Sequence, residues 1–177
     1  LGNQILALQD YNVSCHNEHE KTKHPPFWID MSKLFELYVF KKLKENFKDE
    51  IEVQYHKKFN KQEPDFILNT NCGIKAIVDA KYKPRYASGN PSMDDARQLS
   101  GYTRLNSVYR ELGIEDNTII PAYFIYPANL ATKILDDLDN IEVDSFEEIS
   151  SDSKKILNSE IRKSTTYREM FFQDVKL

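Results

Sequence analysis

Cysteine is nearly missing from this 177-residue sequence, which holds only Cys15 and Cys72. Two thiols make no disulfide framework, so a reducing cytoplasm is the natural setting. No apolar run approaches the roughly 20 residues that span a bilayer, so no membrane-crossing helix is expected. Leu1 to Asp10 lacks a basic stretch followed by a long apolar core, and no secretion signal is expected. The chain does not begin with Met, in keeping with a piece of a longer protein. Excess positive charge is lacking too. A net charge of −4 argues against a protein that coats nucleic acid, but leaves room for an enzyme with a local basic groove and acidic metal-holding residues. There is no repeat, no low-complexity tract and no G-x-x-x-x-G-K-[S/T] loop, so the chain should not hydrolyse nucleotides itself.

What is present is the balance of one globular domain, with 40% apolar and 29% charged residues. Residues 1–26 are polar and read as an extension or linker, with a possible short helix at Gln4–Asp10 ended near His24-Pro25-Pro26. Residues 27–177 read as the domain. Asp30 is placed to cap a helix running to about Phe47, with Leu34, Phe35, Tyr38, Val39, Leu43 and Phe47 at three- and four-residue spacing. Three strands are expected at Ile51–Phe59, Asp65–Asn69 and Ile74–Tyr82, forming a meander around the turn chemistry of Asn69 to Gly73. Lys83–Pro91 reads as a loop. A long helix from about Ser92 to Leu112 should end at Gly113, and Thr118–Tyr126 reads as a buried strand. Further elements are expected at Leu130–Leu138 (helix), Ile141–Val143 (strand) and Asp152–Arg162 (helix). This order suggests an α/β sandwich around a mixed sheet.

Chemistry concentrates on the hairpin. With its turn centred near Cys72, antiparallel partners have residue numbers summing to about 144, so Asp65 faces Asp79 and Ile67 faces Ile77. Side-chain bases that oppose each other on one face lie about 5 Å apart. Two carboxylates so close repel one another, and a divalent cation is the simplest compensation. Lys81, two residues beyond Asp79, shares its face, while Ala80 points to the other. Because Phe66, Leu68, Ala76 and Val78 are apolar, the patch sits on a core element, where charge is costly unless paired or metal-bound. The plainer reading of Asp-x-Lys is a salt bridge on an exposed strand end.

Pro64-Asp65, thirteen intervening residues and then Asp79-Ala80-Lys81 resemble the PD-(D/E)XK nuclease superfamily. Within it, the resemblance is to McrC nuclease subunits of McrBC-type, modification-dependent restriction systems. Ile29-Asp30-Met31-Ser32-Lys33-Leu34-Phe35-Glu36 looks like that family's helix before the hairpin, Val78-Asp79-Ala80-Lys81-Tyr82-Lys83 like its catalytic strand, and Asp95 through Gln98 to Tyr102 like its following helix. The joint order runs from about Phe27 to Tyr126. The resemblance implies a restriction-endonuclease-like core, a mixed β-sheet flanked by helices, and Mg²⁺-dependent cleavage of double-stranded DNA, with Mn²⁺ able to substitute. Asp65 and Asp79 would hold the metal with the backbone carbonyl of Ala80, helped by Glu36. Lys81 would orient water or stabilise charge on the phosphate. It also implies a separate McrB-like AAA+ GTPase that drives the nuclease. The family's docking region for that motor has little room before Phe27, so the expectation is the C-terminal nuclease part or a shortened homologue.

Other residues have two readings each. Glu36 borders the core at the spacing of Phe40 and Leu43, and pairs with Lys33 if it is not a metal ligand. Gln98 should point inward to brace the site or touch DNA backbone, or else be a polar residue satisfied at the core's rim. Tyr102 is either a DNA contact or core packing. Lys57, Lys58, Lys61, Lys83 and Arg85 line either a phosphate groove or a solvated rim, with Lys83 and Arg85 the best candidates because they continue the catalytic strand. Cys15, His16, His19 and His24 are spaced too irregularly for a zinc site and no second ligand pair follows. A RecB-like repair exonuclease, and an inactive fold serving as a DNA-binding or assembly module, are the alternatives. Intact Asp65, Asp79 and Lys81 argue against the module, and the string Met31 to Glu36 favours the endonuclease by resemblance.

Overall fold

The computed structural model describes residues 28–47, 51–59, 61–70, 73–83, 91–115, 117–128, 146–149 and 155–177. The elements expected at Gln4–Asp10, Leu130–Leu138 and Ile141–Val143 lie outside these residues, as do the Cys15 to His24 group and Arg85. Helix α1 spans Met31–Asn46. Its N-cap is Asp30, whose carboxylate accepts the Lys33 N–H at 3.1 Å, satisfying a donor that has no partner within the helix. Phe35, Val39 and Leu43, four apart, form its buried stripe. Leu34, read into that stripe, stands 49% exposed on the neighbouring face.

Strands β1 (Ile51–Tyr55), β2 (Phe66–Thr70) and β3 (Lys75–Ala80) form the expected antiparallel meander. Phe66 pairs with Val78 and Ile67 with Ile77, the register anticipated from the turn. β4 (Ala122–Pro127) runs parallel to β3, and the crossover between them carries helices α2 (Met93–Tyr102) and α3 (Asn106–Leu112). β5 (Phe146–Ile149), β6 (Ile161–Ser164) and β7 (Met170–Val175) complete a seven-stranded mixed sheet of order β1-β2-β3-β4-β7-β6-β5. Helices cover both faces. On one, Phe35, Val39 and Leu43 pack with Phe66, Leu68, Val78, Ala80 and Ile125. On the other, Ala96, Leu99, Tyr102 and Leu112 pack with Ile67, Ile77, Phe124 and Phe172. That double cover explains why β3 and β4 read as nearly continuous apolar runs. Among the described residues no helix is long and apolar enough to cross a membrane.

Three sequence expectations change. The helix expected over Ser92–Leu112 is two helices. Ser92 accepts the Asp95 N–H and starts α2, but Leu105 is extended and begins α3 anew. Gly101 weakens the helix before the break, and Leu99, Tyr102 and Val108 stay buried across it, so the apolar spacing hides the interruption. The described part of the expected helix Asp152–Arg162 is not helical. The fully buried amide of Gln173 on β7 accepts the N–H of Ile156 and Leu157 at 2.9 and 3.2 Å and donates to Leu157 O, which takes these groups away from any helix. Ile161 and Arg162 then pair with β7 as strand. The strand expected from Thr118 starts only at Ala122, after Pro121.

Gly113 does end α3, in the left-handed conformation at φ 58°, with its N–H returned to Tyr109 O and Arg110 O. A Cβ there meets no atom within 4 Å, so the penalty of Gly113→Ala is conformational alone. Chemical unfolding should show a loss of about 1 kcal/mol.

Candidate active site

The hairpin brings its acidic residues together at one end of the sheet. Continuing the register of β2 and β3 places Asp65 opposite Asp79 and Pro64 opposite Ala80. Pro64 has no N–H to return to the Ala80 carbonyl. The Ala80 N–H donates instead to the Asp65 carboxylate, Oδ2, at 2.9 Å. Asp65 is thus turned onto β3 by a backbone bond, and its own carbonyl accepts the His56 N–H at 3.0 Å.

Asp79 is 2% exposed, between Ile77 on its own strand and Phe124 on β4. Its Oδ2 lies 2.8 Å from Lys81 Nζ, an ion pair, and no other donor among the described residues reaches that oxygen. Burial, then the charge of Asp65, pushes the Asp79 pKa up to about 7 despite Lys81. Burial also raises Asp65, against the hydrogen bond from Ala80, and the charge of Glu36 adds to the rise. This is a buried acidic pair with more negative charge than its surroundings neutralise.

Lys81 shares the face of Asp79, as the strand alternation predicts. Burial lowers its pKa, but Asp79 and Asp95 more than reverse this, so it stays charged. Helix α2 supplies its other partners. Lys81 Nζ donates to Gln98 Oε1 at 3.3 Å and lies 3.7 Å from Asp95 Oδ1. Gln98 Nε2 donates to the Tyr102 hydroxyl at 3.1 Å. Gln98 is exposed rather than inward-pointing, because its helix position lies at the mouth of the site and only its amide reaches in. The Tyr102 ring is core, 8% exposed, with its hydroxyl at the site.

Glu36 arrives from α1. It pairs with Lys33 at 3.0 Å, the plainer of its two sequence readings, and also meets His56 Nε2 at 2.9 Å and the Tyr55 hydroxyl at 3.2 Å. Burial raises its pKa, but hydrogen bonds from His56 and Lys33 outweigh that and hold it below the ordinary value. His56 falls within the strand expected at Ile51–Phe59, and the sequence alone does not single it out. β1 ends at Tyr55, and His56 takes a left-handed backbone at φ 51° that sends its ring to Glu36. Asp95 was legible only through the family resemblance. The structure sets it between Lys81 and an ion pair with Lys83. Lys57 pairs with Glu111 on α3, and Lys58 lies 3.8 Å from Glu63, so these cations form an ion-paired rim.

The mixed sheet with helices on both faces is a restriction-endonuclease-like α/β core. A family model described as the McrBC 5-methylcytosine restriction system component matches residues 6–112, more than half of the chain, and the chain belongs to that family. The match includes every site residue named above. It begins within the segment that the sequence reading set apart as an extension. Among solved structures, the chain is similar to one in the "refined half-complex from tetradecameric assembly of Thermococcus gammatolerans McrB AAA+ hexamers with bound McrC", at 20% identity and a TM-score of 0.45. The alignment covers 85% of this chain and 28% of that one. No protein in the curated comparison matches.

Proposed function

We propose that the chain is the DNA-cleaving part of a restriction system, a metal-dependent endonuclease that hydrolyses phosphodiester bonds in double-stranded DNA at a PD-(D/E)XK site. The observation that carries this reading is the buried Asp79 carboxylate, set opposite Asp65 by the strand register, with Lys81 Nζ 2.8 Å from its Oδ2. Two buried carboxylates that share one close ammonium fit a hard divalent cation. Asp65, Asp79 and the Ala80 carbonyl, with Glu36, would hold Mg²⁺, or Mn²⁺ in its place. The cation would supply Lewis acidity toward the phosphate and lower the pKa of a nearby water.

The protein's own groups account for the rest. Lys81, steadied by Asp79, Asp95 and Gln98, presents an ammonium where phosphate charge grows during hydrolysis, and such preorganised charge stabilises the transition state. The Ala80 N–H fixes the Asp65 carboxylate before substrate arrives. Gln98 and the Tyr102 hydroxyl brace the lysine from α2. Lys57, Lys58, Lys83 and Arg85 are the proposed phosphate contacts, exchanging their present carboxylate partners for DNA where they have them. Family membership, with the absence of a phosphate-binding loop in the sequence, supports a separate McrB-like AAA+ GTPase as the motor.

The test is plasmid DNA incubated with the chain and Mg²⁺ or Mn²⁺, with and without a candidate GTPase partner, on gels. Cleavage of closed circles that EDTA stops is the expected result. Degradation confined to linear DNA would replace the endonuclease with an exonuclease. A chain that binds DNA but cuts nothing under any of these conditions would be an assembly module.

A further inference from the structure

His56 has no role in the chemistry above, yet its surroundings are those of a metal ligand. One ligand atom from each of Glu36, His56 and Asp65 falls within 4.8 Å of the others. Glu36 Oε2 and His56 Nε2 are 2.9 Å apart. Neighbouring corners of an octahedron with roughly 2.1 Å bonds stand about 3 Å apart, so this pair already has the spacing of two ligands on one cation. The second ring nitrogen, Nδ1, lies 2.9 Å from Glu63 Oε1. A carboxylate on the far nitrogen is the usual support for a metal-bound imidazole, because it fixes the tautomer and frees the near nitrogen's lone pair. The place between them is already cationic: Lys33 Nζ reaches Glu36 Oε2 at 3.0 Å and His56 Nε2 at 2.9 Å. Lys33 is half exposed on a flexible side chain, and an ion held by fixed ligands can displace it.

We infer that Glu36, His56 and Asp65, with Glu63 behind the imidazole, form a second divalent-cation position that shares Asp65 with the Asp65–Asp79 pair, takes Glu36 as its own ligand rather than as a helper to the first ion, and, through its nitrogen donor, takes a d-block cation such as Mn²⁺ in preference to Mg²⁺. The inference rests on the nuclease reading for its role, but not for its existence. Carboxylate oxygens alone suit Mg²⁺, whereas an imidazole adds a donor that Mg²⁺ uses poorly and transition metals use well. Two positions bridged by one carboxylate would place a cation on each side of Asp65.

The experiment is Mn²⁺ binding to the intact chain by calorimetry, with pulsed electron paramagnetic resonance to detect nitrogen bound to manganese. Wild type should bind two Mn²⁺ and show imidazole nitrogen coupling. His56→Ala should lose the coupling and one ion. Glu63→Gln should keep the coupling but weaken that ion by about 10- to 100-fold. Asp79→Asn should lose the other ion and keep the nitrogen signal. Absence of nitrogen coupling in wild type would overturn the inference without needing any variant to fold. So would nuclear magnetic resonance showing both ring nitrogens still protonated at saturating Zn²⁺, since His56 would then be a cation bridging Glu36 and Glu63. The nuclease reading fails separately, by the plasmid assay: coupling without cleavage leaves the cation position standing, and cleavage without coupling removes it alone.

Discussion

Asp79→Asn is expected to abolish plasmid cleavage while making the metal-free protein more stable at pH 8. The substitution keeps the shape of the side chain and removes its charge. Under the proposed mechanism that charge is half of the pair that holds the cation, so the loss should be at least about 10³-fold, the upper range for removing one preorganised group from a charged transition state. In the metal-free fold the same charge sits 2% exposed beside Asp65, with Lys81 as its ion-pair partner. Its removal relieves desolvation and repulsion, although Lys81 loses its nearest partner and keeps Asp95 and Gln98. The expected gain is about 1–3 kcal/mol in urea unfolding with EDTA at pH 8. Wild-type cleavage by the variant would refute the site. Lost cleavage with lost stability would mean that Asp79 serves the fold instead.

A second large effect should appear in the pH dependence of the wild type. The Asp79 pKa rises from an ordinary 3.8 to about 7, and that of Asp65 moves in the same direction. A carboxyl whose pKa is raised by folding binds its proton more tightly in the native state. Its contribution is complete below the unfolded value and disappears as pH climbs through the folded one. The metal-free protein should therefore lose stability from about pH 4 to pH 7, by about 2–4 kcal/mol. Glu36 and Asp95 are held below their ordinary values, so they act in the opposite sense, their contribution being lost as pH falls through the lowered values. For a chain of this size the loss corresponds to a fall in Tm of about 5–15 °C between pH 4 and pH 8 in EDTA. Mg²⁺ or Mn²⁺ should restore most of it at pH 8, because a cation bound only by the native state stabilises by mass action. A flat Tm across that range would show that the pair is neutralised in some other way.

Much of the site could be read from the chain because its geometry is local. Asp65 and Asp79 belong to one hairpin, so the turn at Asn69 to Gly73 sets their register and the two-residue period sets their face. Lys81 follows from the same period. Gln98 and Tyr102 were legible as one turn of a helix, but not Gln98's position at the mouth of the site, which depends on where α2 lies over β3. His56 was hidden because a change of a single backbone angle at the end of β1 took it out of the strand pattern. The only signal available was a histidine between an alternating run and a charged loop, which is too common to single it out.

By itself, then, the sequence determined the helix that Asp30 caps, the β1–β2–β3 meander with its register, and an acidic pair with a lysine on one face. These depend on contacts close in sequence and on side-chain period. The tertiary structure alone decided that β7 lies between β4 and β6, that Gln173 holds Ile156 and Leu157 out of a helix, and that Glu36, His56 and Asp65 converge from three separate segments. Each of these joins groups that are distant along the chain. Their outcome depends on which buried polar groups find partners once the sheet is assembled, and no local pattern encodes that choice.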